Sequence, residues 1–217
     1  MKNEMIRLIE EEKLIVIVRG AEKEKLIPLA EAMYEGGVRL LEITYDATGK
    51  TPDFQTAENI AALVKHFNGR MQIGAGTVLT ENQVELTYKA GGKFIISPDT
   101  NTEVIQKTKN LGLVSIPGAL TPTEVQAAYR AGADFVKLFP MDSLGAAYLK
   151  AIKAPLSHIR FLAVGGIDEN NIALYKKAGV HGFGIGSNIV RKDLLARGDY
   201  HALTMLAQKY VSEIKNG

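Results

Sequence analysis

Short runs of apolar, largely β-branched residues recur at 14–18, 40–44, 71–75, 94–97, 113–116, 135–138, 161–164 and 183–185, with stretches of helical character between them. Strands that alternate with helices predict βαβ units and a parallel sheet, whose strands are covered on both faces and therefore read as continuously apolar. Eight such units predict a closed (β/α)8 TIM barrel, an α/β fold, preceded by an N-terminal helix. Thr80, Thr121 and Asp168 stand where helix N-caps belong, Pro122 suits a first helical turn, and Gly36, Gly91, Gly132 and Gly179 fall near helix ends.

A weak internal echo supports the same unit. "YKAGGKF" at 88, "YRAGADF" at 129 and "YKKAGVHGF" at 175 each join a helix end to the next strand. Variable lengths between them argue against a solenoid. No linker or low-complexity segment interrupts the 217 residues, so residues 1–217 are expected to form a single domain. "DATGKTPDFQ" after the second strand is the longest irregular stretch, and a loop of that length after a barrel strand belongs to the reactive face.

Composition narrows the chemistry. The formal charge of +2 comes from interspersed acids and bases with no basic stripe, so neither nucleic acid nor a membrane surface is an expected partner. With no cysteine in the chain, disulfides, thiol nucleophiles and thiolate metal sites are all excluded. The start is charged, and no apolar run reaches the length of a spanning helix, which points to a cytoplasmic protein.

Against that background one residue stands out. In "DFVKLFP", Lys137 sits among Phe135, Val136, Leu138 and Phe139. Side chains alternate along a strand, so Leu40, Glu42 and Thr44 share one face, as do Phe135, Lys137 and Phe139. If both faces look inward, an acid and an amine meet inside the barrel mouth. One reading is a buried ion pair tolerated at a cost of several kcal/mol. The other is chemical: burial favours the free amine, which can attack a ketone to form a Schiff base while a nearby carboxylate moves protons.

Other strand ends are polar or turn-forming. Arg19 follows the first strand, as a rim residue or a cation for a substrate anion; Thr77 closes "GAGT"; Pro98 follows the fourth strand. Gly165 and Gly166 follow the seventh, and Gly186 with Ser187 the eighth, where barrels often bind phosphate on exposed backbone amides. The four histidines, at 66, 158, 181 and 201, share no metal-ligand spacing and read as surface or helix-end residues. Met33, Met71 and Met141 read as packing, and "EEEK" at 10–13 as a solvated helix end.

In order along the chain, "GGVRLLEIT", "GAGTVL", "FIISP", "IPGALTPTE", "FVKLFP", "GGI" and "GIGS" closely resemble the class I aldolases that act on 2-keto-3-deoxy-6-phosphogluconate and 4-hydroxy-2-oxoglutarate. The resemblance implies a homotrimeric enzyme without metal or other cofactor, splitting a 2-keto-3-deoxy sugar acid, phosphorylated where the aldehyde is glyceraldehyde 3-phosphate, into pyruvate and that aldehyde or glyoxylate. By the same resemblance Lys137 is the Schiff-base lysine, Glu42 the proton shuttle, and Thr77 a donor to the pyruvate carboxylate. Phe139 and Pro98 are then pocket walls, Gly166, Gly186 and Ser187 a phosphate cradle, and Arg19 a substrate-facing cation. Two positions depart from the pattern. Tyr45-Asp46 replaces a Leu-Arg pair whose arginine meets a substrate carboxylate, so Asp46 is expected to repel that anion, with Lys50 a possible substitute. Val164 stands where gluconate-type members carry threonine and galactonate-type members valine. A non-covalent phosphate-sugar barrel enzyme (an epimerase or synthase) and a non-catalytic binding paralogue are the alternatives.

Overall fold

The structure is a computed structural model and describes residues 2–216. In chain order the elements are α1 (Lys2–Glu12), β1 (Leu14–Val18), α2 (Lys23–Glu35), β2 (Leu40–Thr44), α3 (Asp53–Phe67), β3 (Gln72–Gly76), α4 (Glu81–Lys89), β4 (Phe94–Ile96) and α5 (Thr102–Asn110). They continue with β5 (Val114–Ile116), β6 (Gly118–Ala119), α6 (Pro122–Arg130), β7 (Val136–Leu138), α7 (Gly145–Lys153), β8 (Phe161–Val164), α8 (Ile172–Lys177), β9 (Gly182–Ile185), α9 (Lys192–Arg197) and α10 (Tyr200–Asn216). All pairings are parallel, in the order β5-β4-β3-β2-β1-β9-β8-β7-β6.

The nine strands make eight staves, because β5 and β6 are one stave broken at Pro117. Proline has no N–H to give to a ladder. Its carbonyl still accepts from the Lys137 N–H at 2.9 Å, and Ser115 O accepts from the Phe135 N–H at 3.2 Å, so the ring closes around the break. The architecture is the (β/α)8 barrel that the alternation predicts.

Each strand feeds two apolar layers. Ile15, Leu40, Phe94, Ile96, Val114, Ile116, Phe135 and Leu162 pack together inside the barrel, and Met5 and Ile9 of α1 close its lower end. Their strand neighbours Val16, Leu41, Ile43, Val136 and Leu138 point outward into the core shared with the helices. Gly74 makes room for this filling: a Cβ there would come within 2.5 Å of the Phe94 ring. Fully burying each large apolar side chain contributes about 1.5–3 kcal/mol. Lower-barrel apolar layers thus leave Glu42 and Lys137 on the next layer up, towards the C-terminal ends of the strands.

Thr80 and Thr121 each accept the N–H three residues on, and Gln83 and Glu124 return the bond, so α4 and α6 begin in capping boxes. The echoed tyrosine–glycine segments share one helix stop. Gly92, Ala133 and Val180 donate back to the carbonyls of Thr87, Ala128 and Tyr175, across glycines at φ +86°, +99° and +83°. Asp168 is not the cap that its position predicts. Its side chain accepts from the Asn170 N–H at 2.8 Å, folding a turn of its own, and α8 starts only after Asn171. The irregular stretch after β2 is also shorter than expected, since α3 already begins at Asp53. No helix of the described residues is long and apolar enough to cross a membrane.

Candidate active site

A cavity of about 320 Å³ opens at the C-terminal ends of the strands, and all ten residues singled out from the sequence line it. They arrive from seven of the eight staves, which only closure of the barrel brings together.

Glu42 occupies the middle of β2, in register with Ile17 of β1 and Gly74 of β3. It is 2% exposed, and its Oε2 has no hydrogen-bond partner among the described residues. Burial raises its pKa, against the opposing pull of the Lys137 and Arg19 charges. Lys137 lies in β7 opposite Gly118 of β6 and Leu162 of β8, and is 7% exposed. Its Nζ stands 4.7 Å from the centroid of the Phe139 ring. Burial pushes its pKa down, Glu42 pulls it up, and Arg19 pushes it down. Desolvation therefore dominates at both groups. One becomes a better nucleophile as the free base, and the other a carboxyl that keeps its proton more readily than an exposed one and can pass it on.

Around this pair the walls are built by backbone. Thr77 follows β3 with φ +56°, a left-handed conformation that a β-branched residue adopts only under strain, and it turns into the cavity beside Glu42. Pro98 forms the wall beyond β4, and Gly118 lets the neighbouring stave approach it: a Cβ there would overlap the Pro98 carbonyl and lie 2.9 Å from the Asp99 N. Phe139, 37% exposed, forms the rim above Lys137, and exposed Arg19 stands on the same rim after β1.

The glycines occupy the opposite side. Gly165 and Gly166 both have positive φ, +97° and +67°, and their N–H groups have no hydrogen-bond partner among the described residues. A Cβ on Gly166 would come within 2.8 Å of the Asp142 Cα, so only glycine fits against that loop. Gly186 and Ser187 follow β9 and face the same space. Consecutive free amides in such turns form a concavity suited to an anion.

Asp46 does not act on this cavity as its charge suggests. Its carboxylate accepts from the N–H of Thr48 at 2.9 Å, the Thr48 hydroxyl at 2.7 Å and the N–H of Thr51 at 3.0 Å. These bonds hold its pKa down to about 2 and spend its charge within its own loop. Neither Asp46 nor Lys50 lines the cavity. Sequence reasoning missed Ile17 and Asn188, which do. Ile17 sits in a uniformly apolar strand that offers no signal; Asn188, directly after "GIGS", carried one in its amide. Among the described residues no three His, Cys, Asp or Glu side chains gather to hold a metal ion. His181 serves the backbone instead, its Nδ1 accepting from the Phe161 N–H at 3.1 Å.

Comparison with known proteins gives the same direction. A family model described as KDPG and KHG aldolase matches residues 5–206. A protein of Rhizobium meliloti named probable 2-dehydro-3-deoxy-6-phosphogalactonate aldolase is 37% identical over 187 residues, 86% of this chain and 85% of that one. A 2-dehydro-3-deoxy-phosphogluconate aldolase of Treponema pallidum is 34% identical over 203 residues, 93% of each chain. Among solved structures, the KDPG aldolase of Legionella pneumophila, with pyruvate captured at low pH as a covalent carbinolamine, superposes with a TM-score of 0.80 at 28% identity, covering 94% of this chain and 96% of that one.

Proposed function

The chain belongs to the KDPG and KHG aldolase family, and from that premise we propose that Lys137 is the amine on which it carries out the class I aldol cleavage. The family splits 2-keto-3-deoxy-6-phospho sugar acids to pyruvate and an aldehyde through a lysine Schiff base, with no metal. The single observation carrying the assignment is the burial of the Lys137 amine against Phe139, in the same cavity as the buried Glu42 carboxyl.

The steps follow from these positions. The free amine of Lys137 attacks C2 of the keto acid, and Glu42 protonates the departing hydroxyl as the carbinolamine loses water to give the iminium. Glu42, now a carboxylate, removes the C4 hydroxyl proton. The C3–C4 bond then breaks, its electron pair enters the iminium as an enamine, and the aldehyde leaves. Protonation at C3 and addition of water release pyruvate and restore the amine. Thr77 donates to the pyruvate carboxylate, Pro98 and Phe139 hold the reacting carbons, and Arg19 faces the substrate anion. The amides at Gly165, Gly166, Gly186 and Ser187 receive the phosphate, giving glyceraldehyde 3-phosphate as the aldehyde; with 4-hydroxy-2-oxoglutarate the aldehyde is glyoxylate. Residues 1–217 are in this reading one catalytic domain, working as a homotrimer in the cytoplasm.

The test is reductive trapping. Incubation with pyruvate and borohydride is expected to give one reduced adduct, located on Lys137 by mass spectrometry of the digested protein. Adducts scattered over exposed lysines, or their absence, would overturn the assignment.

A further inference from the structure

We propose that Asn171 and Asn188 are positioning residues that set the phosphate affinity of this site by fixing the peptide groups between Gly166 and Asp168. The inference rests on the reading of the glycine turns as a phosphate cradle and adds what makes that cradle rigid.

Two left-handed glycines in succession are the most mobile backbone a loop can contain, and mobility costs affinity because the loop must be ordered on binding. Two side-chain amides oppose it here. Asn171 Nδ2 donates to Gly166 O at 2.7 Å, and its Oδ1 accepts from the Asp168 N–H at 3.0 Å. One amide thus clamps both sides of Ile167. In a trans peptide the C=O and N–H point in opposite directions, so drawing the Gly166 carbonyl towards Asn171 turns the Ile167 N–H away from it. That N–H has no partner among the described residues, and Ile167 lines the cavity.

Asn188 acts from the other half of the cradle. Its Nδ2 donates to Ile167 O at 2.7 Å, and it follows Ser187 directly in the chain. This bond joins the loop after β8 to the loop after β9, fixing the separation between the amides of Gly165 and Gly166 on one side and the Gly186–Ser187 turn on the other. A bound phosphate needs both halves at one spacing; neither asparagine has to touch it.

The experiment compares wild type with Asn171→Ala, Asn188→Leu and Asn188→Gln. Three quantities are read: the inhibition constant of inorganic phosphate, KM for whichever phosphorylated keto-deoxy sugar acid is cleaved, and the rate of borohydride trapping with pyruvate, which has no phosphate. Losing one such bond is expected to weaken phosphate inhibition and raise KM roughly fivefold to tenfold, with a much smaller effect on trapping. Asn188→Gln, which keeps the amide, is expected to recover part of the loss. A fall in trapping and phosphate binding by the same factor, tracking a lower melting temperature, would reduce the asparagines to scaffolding and overturn the inference. Wild type insensitive to inorganic phosphate would instead overturn the cradle itself before any variant is measured.

Discussion

Gly76 is the seat of the Glu42 carboxyl group. A Cβ on this glycine would overlap Oε1 and lie within 2.7 Å of Cγ, so the absence of a side chain on β3 is what allows an acid on β2 to turn into the cavity. Gly76→Ala is therefore expected to displace the carboxyl rather than merely add a methyl. Overpacking of this kind costs about 1–3 kcal/mol, to be read by chemical denaturation, and turnover should fall along with it. A variant that folds with full stability and full turnover would show that Glu42 has another place to go.

For Glu42 the sign of the pH dependence is set by burial. Its pKa is raised in the folded chain, so between the ordinary carboxyl value and the raised one the folded state holds a proton that the unfolded state has released. Stability contributed by this group is then lost as pH rises through that window. Glu42→Gln does not titrate, so its melting temperature is expected to gain on wild type from about pH 5 upward, levelling off once the native carboxyl is ionised. Turnover should fall roughly 10²- to 10⁴-fold, the usual contribution of a positioned acid or base. The carboxylate also pulls the Lys137 pKa upward, so its removal should move the rising limb of pyruvate trapping to lower pH. A melting difference that stays flat with pH would contradict the buried, titrating acid.

Thr77 carries strain that glycine would relieve. A left-handed β-branched residue costs about 1–3 kcal/mol, against roughly 0.5–1 kcal/mol of backbone entropy that glycine loses on folding. Thr77→Gly is thus expected to be at least as stable as wild type while KM for the keto acid rises, because the hydroxyl donor is gone. Thermal melts and steady-state kinetics check both halves, and a less stable variant with unchanged KM would remove Thr77 from the binding scheme.

How much of this was legible in the chain depended on whether the signal was local. The period-2 alternation around Glu42 and Lys137 is local, and it placed both side chains on inward faces. Apolar runs punctuated by Thr-Pro and Ala-Gly gave the eight staves, with boundaries within a residue or two. What stayed hidden depends on which loops meet in space. Gly76 looks like part of the "GAGT" turn until Glu42 is seen above it, and the charge of Asp46 looks repulsive until the N–H groups of Thr48 and Thr51 are seen to absorb it. Asn171 and Asn188 likewise lie in sequence among ordinary turn residues; their shared target is the backbone of one loop.

Val164 is where substrate choice can be tested with the least disturbance. It lines the cavity at the end of β8, 7% exposed, with Cγ2 2.8 Å from where a Cβ on Gly184 would stand. Its two methyls offer no hydrogen bond, and a wall without a partner for a substrate hydroxyl discriminates weakly by that hydroxyl. Threonine has nearly the same shape and adds one donor. If the C4 hydroxyl reaches this wall, Val164→Thr should shift the ratio of kcat/KM between the gluconate and galactonate isomers towards gluconate by roughly fivefold, the worth of about 1 kcal/mol of hydrogen bonding. Pyruvate release from each isomer measures the ratio directly; an unchanged ratio would place C4 recognition on another wall, with Arg19 and Thr77 the next to vary.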